Sequence, residues 1–406
     1  MLVEGATMGK ACAMTDTTTE ATPTRSRRGR RIAWVVGILV GVLVLLFAGA
    51  SWYASSLLVD GMSIQDYTED LPDTVVAVDD ESITLEMATD PATDPRTPSL
   101  AGVRFGGSDA YLQVGPATEV DGMNATRPVI AVVGDPPAAG STARVEREYF
   151  PEDPQVGLGL DFTEVQIETP LGPSPAWYVP ADGDTWAIYS HGRGATRQEG
   201  LRMLETSHAL GMPTLLVTFR DDLVGQPEDG ISNFGLTEWA DLEAAVQYAL
   251  DNGAEDVVLL AGSTGGAISV SLLENSDLAD SVVGMAFDAP VTSFGQTVDL
   301  NAAERGFPAP IIAVGKWITE QRVNIDFAAT DYISSVGDLD VPTLIIHGTE
   351  DSTNPLEASE EFAAAAPEGV VTVDTFEGAE HVWSWNLSRE EYENVLADHL
   401  TSVLAD

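Results

Sequence analysis

The sequence predicts an α/β fold: a mostly parallel sheet with helices on both faces, preceded by a membrane-spanning helix and a β-rich accessory segment. Three observations predict it. An uncharged apolar run, Ile32–Ala50, directly follows a cluster of arginines. Residues 60–160 alternate short apolar stretches with turn residues. From about Val165 apolar strands alternate with segments of helical spacing, the pattern of βαβ crossovers. A chain of 406 residues, 44% hydrophobic, is long enough for a core of roughly two to three hundred residues plus a module, and too apolar to be wholly disordered.

The N-terminal element comes first. Arg25, Arg27, Arg28, Arg30 and Arg31 precede the run, whose helix would span roughly 28 Å at about 1.5 Å per residue, close to the hydrocarbon thickness of a bilayer. Trp34 and the pair Trp52-Tyr53 suit its two interfaces. This predicts a cytoplasmic basic tail over 1–31, a transmembrane helix or signal over 32–54, and an extracytoplasmic remainder held at the cell membrane. Ala48-Gly49-Ala50 also resembles a signal-peptidase site, which would make the protein secreted. Met14 is an alternative start.

Residues 60–160 read as the β-rich accessory segment. Val75–Val78 and Ile83–Met87 flank the turn Asp79–Ser82, and Val103–Phe105 and Ala110–Val114 flank Gly106–Asp109. The expected α/β domain covers 165–406. Its strands are Trp186–Ser190, Thr214–Phe219, Val257–Leu260, Val282–Phe287, Thr343–Ile346 and Val370–Phe376. Its helices include Arg197–Leu210, Leu236–Leu250 and Glu390–Leu404. An insertion at about 289–340 bears Phe294, Phe307, Ile311, Ile312, Trp317 and Ile318.

Composition excludes several functions. With 64 Asp and Glu against 19 Lys and Arg, the net charge of −45 repels phosphate backbones, so nucleic acid is not an expected partner. The lone Cys12 excludes an intramolecular disulfide framework and cysteine metal clusters. No Walker loop, dinucleotide fingerprint, HExxH or EF-hand pattern occurs, so neither cofactor nor metal is expected.

In parallel sheets chemistry gathers beyond the carboxyl ends of strands. Ser263 stands between a strand and a helix among Gly262, Gly265 and Gly266, as a nucleophile on a tight turn requires. A serine needs a base. Of five histidines, His208 and His399 fall in helices, and His191 and His347 each precede a glycine and read as turn-shaping. His381, after the last strand, is the expected base. Asp351, just past Thr343–Ile346, is the expected acid that orients it, with Glu350 and Asp288 as rivals. The backbone N–H groups of Thr264 and Arg193 are the expected oxyanion donors.

The order Ser263, Asp351, His381, together with SHGRGATRQEG (190–200), FRDD (219–222), LTEWADLEAAVQYAL (236–250), AGSTGGA (261–267), FDAP (287–290), HGTEDSTNP (347–355) and AEHVWSWN (379–386), resembles the α/β-hydrolase superfamily, in particular its membrane-anchored or secreted serine hydrolases of actinobacterial type. The resemblance implies cofactor-free hydrolysis of an ester, thioester or amide in a small-molecule, lipid or peptide acyl substrate, and makes the insertion at about 289–340 a short cap whose apolar residues are expected to wall the pocket. Ala261 in place of glycine, Glu380 before the histidine and Asn354 depart from the pattern. Acyl transfer and an inactive surface-binding module are the alternative expectations.

Overall fold

The computed structural model describes residues 27–64, 70–220, 222, 224–226 and 228–405. Cys12, Met14, Arg25 and most of the basic tail expected over 1–31 lie outside the described residues. The chain divides after Ala50 into two units. The first holds the N-terminal turns of α1 (Arg27–Met62), the one helix among the described residues long and apolar enough to cross a membrane. Its apolar side chains from Ile32 to Leu46 are exposed.

The second unit, Ser51–Asp406, begins with the last turns of the same helix. The expected span ended at residue 54, whereas α1 continues to Met62 because its final turns find a protein surface. Ser51, Ala54, Ser55 and Met62 are buried.

Seven strands follow: β1 (Asp73–Val78), β2 (Ser82–Glu86), β3 (Ala101–Phe105), β4 (Tyr111–Val114), β5 (Glu119–Asp121), β6 (Asn124–Val133) and β7 (Thr142–Glu146). Every pairing is antiparallel, in the order β2-β1-β7-β3-β4-β6-β5, and a further β2–β6 ladder closes the sheet into a barrel. Closure removes sheet edges. Both expected hairpins form, with Val78 opposite Ile83 and Arg104 opposite Tyr111. Asp79 builds the first turn by accepting from the N–H groups of Glu81 (2.9 Å) and Ser82 (2.8 Å). Alternate residues such as Ile83, Leu85, Val103, Leu112 and Val145 fill the interior.

After α2 (Pro154–Leu158) the second sheet assembles from β8 (Thr163–Thr169), β9 (Gly172–Val179), β10 (Thr185–Ser190), α3 (Leu201–Ala209), β11 (Thr214–Leu216), α4 (Trp239–Asp251), β12 (Asp256–Gly262), α5 (Thr264–Asn275) and β13 (Val282–Asp288). It is completed by α6 (Phe294–Glu304), α7 (Ala309–Val323), β14 (Thr343–Gly348), α8 (Leu356–Ala365), β15 (Val371–Phe376), α9 (Ser384–Leu387) and α10 (Arg389–Val403). The strand order is β15-β14-β13-β12-β10-β11-β9-β8. Pairings from β15 to β11 are parallel; β11–β9 and β9–β8 are antiparallel.

That antiparallel hairpin was not anticipated. Pro173 and Pro175 mask β9 in the sequence, yet only Trp177–Val179 pairs with β11, so the prolines sit where β8 alone is the neighbour. The strand expected over Thr214–Phe219 stops at Leu216, and the helix expected from Arg197 opens with a 3₁₀ turn before α3. The chain leaves β10 for β11 on one side and returns to β12 on the other. That reversal opens a crevice beyond the carboxyl ends of β10 and β12. In the cap insertion, Thr319 of α7 donates to Ser55 Oγ (2.9 Å) and Arg322 Nη1 to the same oxygen (3.0 Å), so α7 clasps the end of α1.

Candidate active site

β12 delivers Ser263 to the crevice in a conformation few residues adopt, φ 49° and ψ −115°. Its neighbours enforce it. Ser263 N–H donates to Asp288 O (2.9 Å), and its carbonyl accepts from Gly266 (3.1 Å) and Val291 (3.0 Å). A Cβ at Gly265 would collide with the Ser190 carbonyl, and one at Gly266 would approach Pro290 Cβ to 2.6 Å. The small residues are therefore a packing requirement of the turn. Ala261 is fully buried in β12, where the familiar pattern has glycine.

The Ser263 hydroxyl lies 3.0 Å from His381 Nε2, and His381 Nδ1 lies 2.8 Å from Asp351 Oδ2. Residues separated by 118 and 30 positions thus meet because β12, β14 and β15 end at one edge of the sheet. Asp351 accepts more than that bond. Its Oδ1 takes the N–H groups of Thr353 and Asn354, each at 2.8 Å, and His347 Nε2 stands 3.2 Å from Oδ2. Burial would raise this carboxyl. The facing His381 imidazole, with the hydrogen bonds from His347 and His381, holds it well below the ordinary carboxylate range. An ionised Asp351 requires the proton of His381 on Nδ1, leaving Nε2 as an acceptor for the serine hydroxyl.

The rivals for the acid are elsewhere. Glu350 is exposed. Asp288 is buried, accepts from the Tyr392 hydroxyl at 3.2 Å, and is pushed up by that burial. Glu380 turns its carboxylate onto Ser352 N (3.0 Å) and Oγ and onto the N–H of His381 (2.6 Å), joining the Asp351 and His381 loops. Buried Asn354 donates to Ala289 O (2.9 Å), bracing the segment after β13.

Arg193 and Thr264 line one cavity of about 340 Å³ with Ser263 and His381. Gly192 approaches so closely that a Cβ there would lie 3.0 Å from Ser263 Cβ. The Gly192 N–H donates to buried Glu199 Oε2 (2.7 Å), which also accepts from the Tyr189 hydroxyl (3.1 Å). Glu199 Oε1 faces Arg147 of the barrel segment (3.0 Å) and Arg202 (3.7 Å). Burial would raise Glu199; the two guanidinium groups and the Gly192 N–H bring it down to about 2. Arg202 in turn donates to Val382 O (2.7 Å), beside His381. One buried ion network therefore holds the loops after β10 and β15 together.

His191 is likewise more than a turn former. Its Nδ1 donates to Gly192 O (2.9 Å) and its Nε2 faces Asp222 Oδ2 at 2.7 Å. Burial would lower its pKa, but the Asp222 charge and hydrogen bond, the Gly192 carbonyl and Glu199 push it up to about 9. Sequence reasoning missed His347, Glu199 and Arg202. The spacing of His347 and Asp351 was a usable signal, whereas nothing local distinguishes Glu199 from the many surface acids.

Of the apolar cap residues expected to wall the pocket, only Phe294 lines it. Phe307 meets Tyr53 with ring centroids 6.4 Å apart, Ile312 is buried in the core, and Trp317 is 60% exposed. Leu57, Leu58 and Gly61 of α1 form part of the wall instead. His208 and His399 lie away on helices, His399 donating to Met285 O at 2.8 Å. Among the described residues no cluster of His, Cys, Asp and Glu could hold a metal ion.

No protein-family model matches the chain, and no curated protein sequence does. Solved structures do resemble it. An esterase from Pyrococcus furiosus superposes with a TM-score of 0.50 at 19% identity, covering 62% of this chain and 95% of the other. An esterase from Thermogutta terrifontis (TM-score 0.44, 16% identity, 59% and 99% covered) and an alpha-beta serine hydrolase homologue from Coxiella burnetii (0.43, 19%, 59% and 97%) are also similar. The likeness to the Pyrococcus esterase establishes an α/β-hydrolase fold for the second sheet and its helices.

Proposed function

We propose that the protein is a membrane-anchored serine hydrolase that cleaves an ester, thioester or amide through an acyl-enzyme. The observation that carries this reading is the continuous relay from Ser263 Oγ through His381 to Asp351, at 3.0 and 2.8 Å, with the serine on a strained turn. Ser263 Oγ bonds to the acyl carbon as its proton passes to His381 Nε2. Asp351 keeps the imidazole oriented and stabilises its charged form. The N–H groups of Arg193 and Thr264 donate to the tetrahedral oxyanion. The leaving group then takes the proton from Nε2 as its bond to carbon breaks. Water, deprotonated by the same nitrogen, attacks the acyl-enzyme, and Ser263 recovers its proton; an alcohol in place of water gives acyl transfer.

The anchor is α1. Arginines precede its apolar run, so the N-terminus is assigned to the cytoplasm and the catalytic unit to the outside. The test is labelling of the full-length protein with a fluorophosphonate probe together with turnover of p-nitrophenyl acyl esters. Ser263→Ala abolishes labelling and lowers kcat by roughly 10⁴-fold or more. A folded wild-type protein that neither labels nor hydrolyses would overturn the assignment. Protease added to intact cells digests the catalytic unit if the orientation is right.

A further inference from the structure

The cavity above Ser263 contradicts the charge of the chain that encloses it. Acidic residues outnumber basic ones 64 to 19, and only thirteen Lys and Arg follow residue 59. Yet three of those thirteen, Arg147, Arg193 and Arg305, line this cavity, and among the described residues no Asp or Glu does. The neighbouring depressions do not share the bias: carboxylates such as Asp94, Glu146, Glu148 and Glu380 line them alongside their arginines.

The three arginines differ in what they already hold. Arg147 is committed to Glu199 and Glu148, at 3.0 and 3.2 Å. Arg193, on the loop after β10, and Arg305, just past the end of α6, have no ion-pair partner among the described residues. A guanidinium is a planar fork suited to two parallel hydrogen bonds with a carboxylate or phosphate. The rest of the wall is mixed: Leu58, Phe234, Val291, Phe294 and Val298 give it an apolar side, and Thr297, Asn301, Thr353 and Asn354 a neutral polar one. A volume of about 340 Å³ lies at the small end of ligand pockets, which run from roughly 300 to 1,000 Å³.

We propose that the substrate is a small ester bearing an oxyanion, either carboxylate or phosphate, on a short apolar chain, with Arg193 and Arg305 receiving the anion while Ser263 attacks the acyl carbon. This rests on the reading of Ser263 as the nucleophile. The cavity favours the anionic ester over a neutral one of the same size because only the anion gains charge-assisted hydrogen bonds to the two guanidinium groups.

The experiment measures kcat/KM of the full-length protein for matched pairs. One arm compares mono-p-nitrophenyl glutarate with p-nitrophenyl valerate, placing a carboxylate on the acyl side. The other compares butyryl glycerol 3-phosphate with monobutyrylglycerol, placing a phosphate on the alcohol side. At least a ten-fold preference for the anionic member in one arm is expected, and that arm identifies the source of the anion. Arg305→Gln, an exposed change that spares the fold, is expected to reduce the ratio by about ten-fold, and Arg193→Gln to reduce it likewise. A ratio near one in both arms, with neutral esters still hydrolysed and Ser263 still labelled, overturns the anion assignment and leaves the hydrolase standing. A preference untouched by both substitutions overturns the assignment of these arginines. Labelling of Ser263 without turnover of any of the four esters overturns this inference alone, and failure both to label and to turn over removes the hydrolase reading with it.

Discussion

The His191 ring faces two hydrogen-bond acceptors, the Gly192 carbonyl at Nδ1 and the Asp222 carboxylate at Nε2, and it donates to both only when doubly protonated. Its pKa of about 9 in the folded protein stands above the ordinary value of 6.5. The linkage follows directly: the stabilisation is fully present below about pH 6.5 and is lost as pH rises through 9. For so buried a group this amounts to roughly 3 kcal/mol. Urea unfolding followed from pH 6 to 10 should therefore show stability declining through that window. Asp222→Asn should flatten the decline, and an unchanged slope in that variant would show that the ring does not bear the charge. The same bonds explain why His191 sits at the start of the loop that carries Arg193: a charged ring pins Gly192, and Glu199 pins it from the other side.

At the scale of elements, the last turns of α1, from Ser51 on, pack against α7. Gly315 of α7 lies against α1 so closely that a Cβ would stand 3.2 Å from Ala54 Cβ and 3.4 Å from Ser51 O. Arg322 covers Trp52 with its guanidinium 4.8 Å from the ring centroid and bonds Ser55 and Ser56 at 3.0 and 3.1 Å. Leu57, Leu58 and Gly61, within the next two turns, already line the cavity above Ser263. Gly315→Leu should thus destabilise the protein by roughly 1–3 kcal/mol through overpacking, and it should alter ester turnover as the cavity wall shifts. Gly49→Ala, which has open space around it, should do neither. Thermal unfolding and kcat/KM of both variants in detergent or nanodiscs check this. Equal behaviour of the two would mean the junction is not a packed contact.

Across the whole molecule, charge is the dominant feature. A net charge of −45 concentrates carboxylates on the surface, and their mutual repulsion opposes the compact state. Screening shortens from about 10 Å at 0.1 M salt to about 3 Å at 1 M, so the unfolding temperature should rise with sodium chloride over that range. Differential scanning calorimetry tests this, and a flat or falling response would show that self-repulsion does not limit stability. Buried ion networks such as Glu199 with Arg147 and Arg202 are screened much less, so salt should stabilise without loosening the loops they join.

The sequence by itself determined the elements whose signals are local. The apolar run of α1, the two hairpins with their turn residues, and the strands and helices around Ser263, Asp351 and His381 were all legible, because hydrophobic period and turn chemistry act over a few residues. The glycines after Ser263 announced a tight turn for the same reason. Tertiary structure alone decided which groups face one another. Closure of β2 on β6 into a barrel, the second imidazole at Asp351, the burial of Glu199 between two arginines and the seating of α1 on α7 all join residues distant in the chain. In a chain so rich in acids, no local feature separates a carboxylate destined for the interior from one that stays in water. Only the packing around it makes that choice, because burial without a partner costs far more than a surface position.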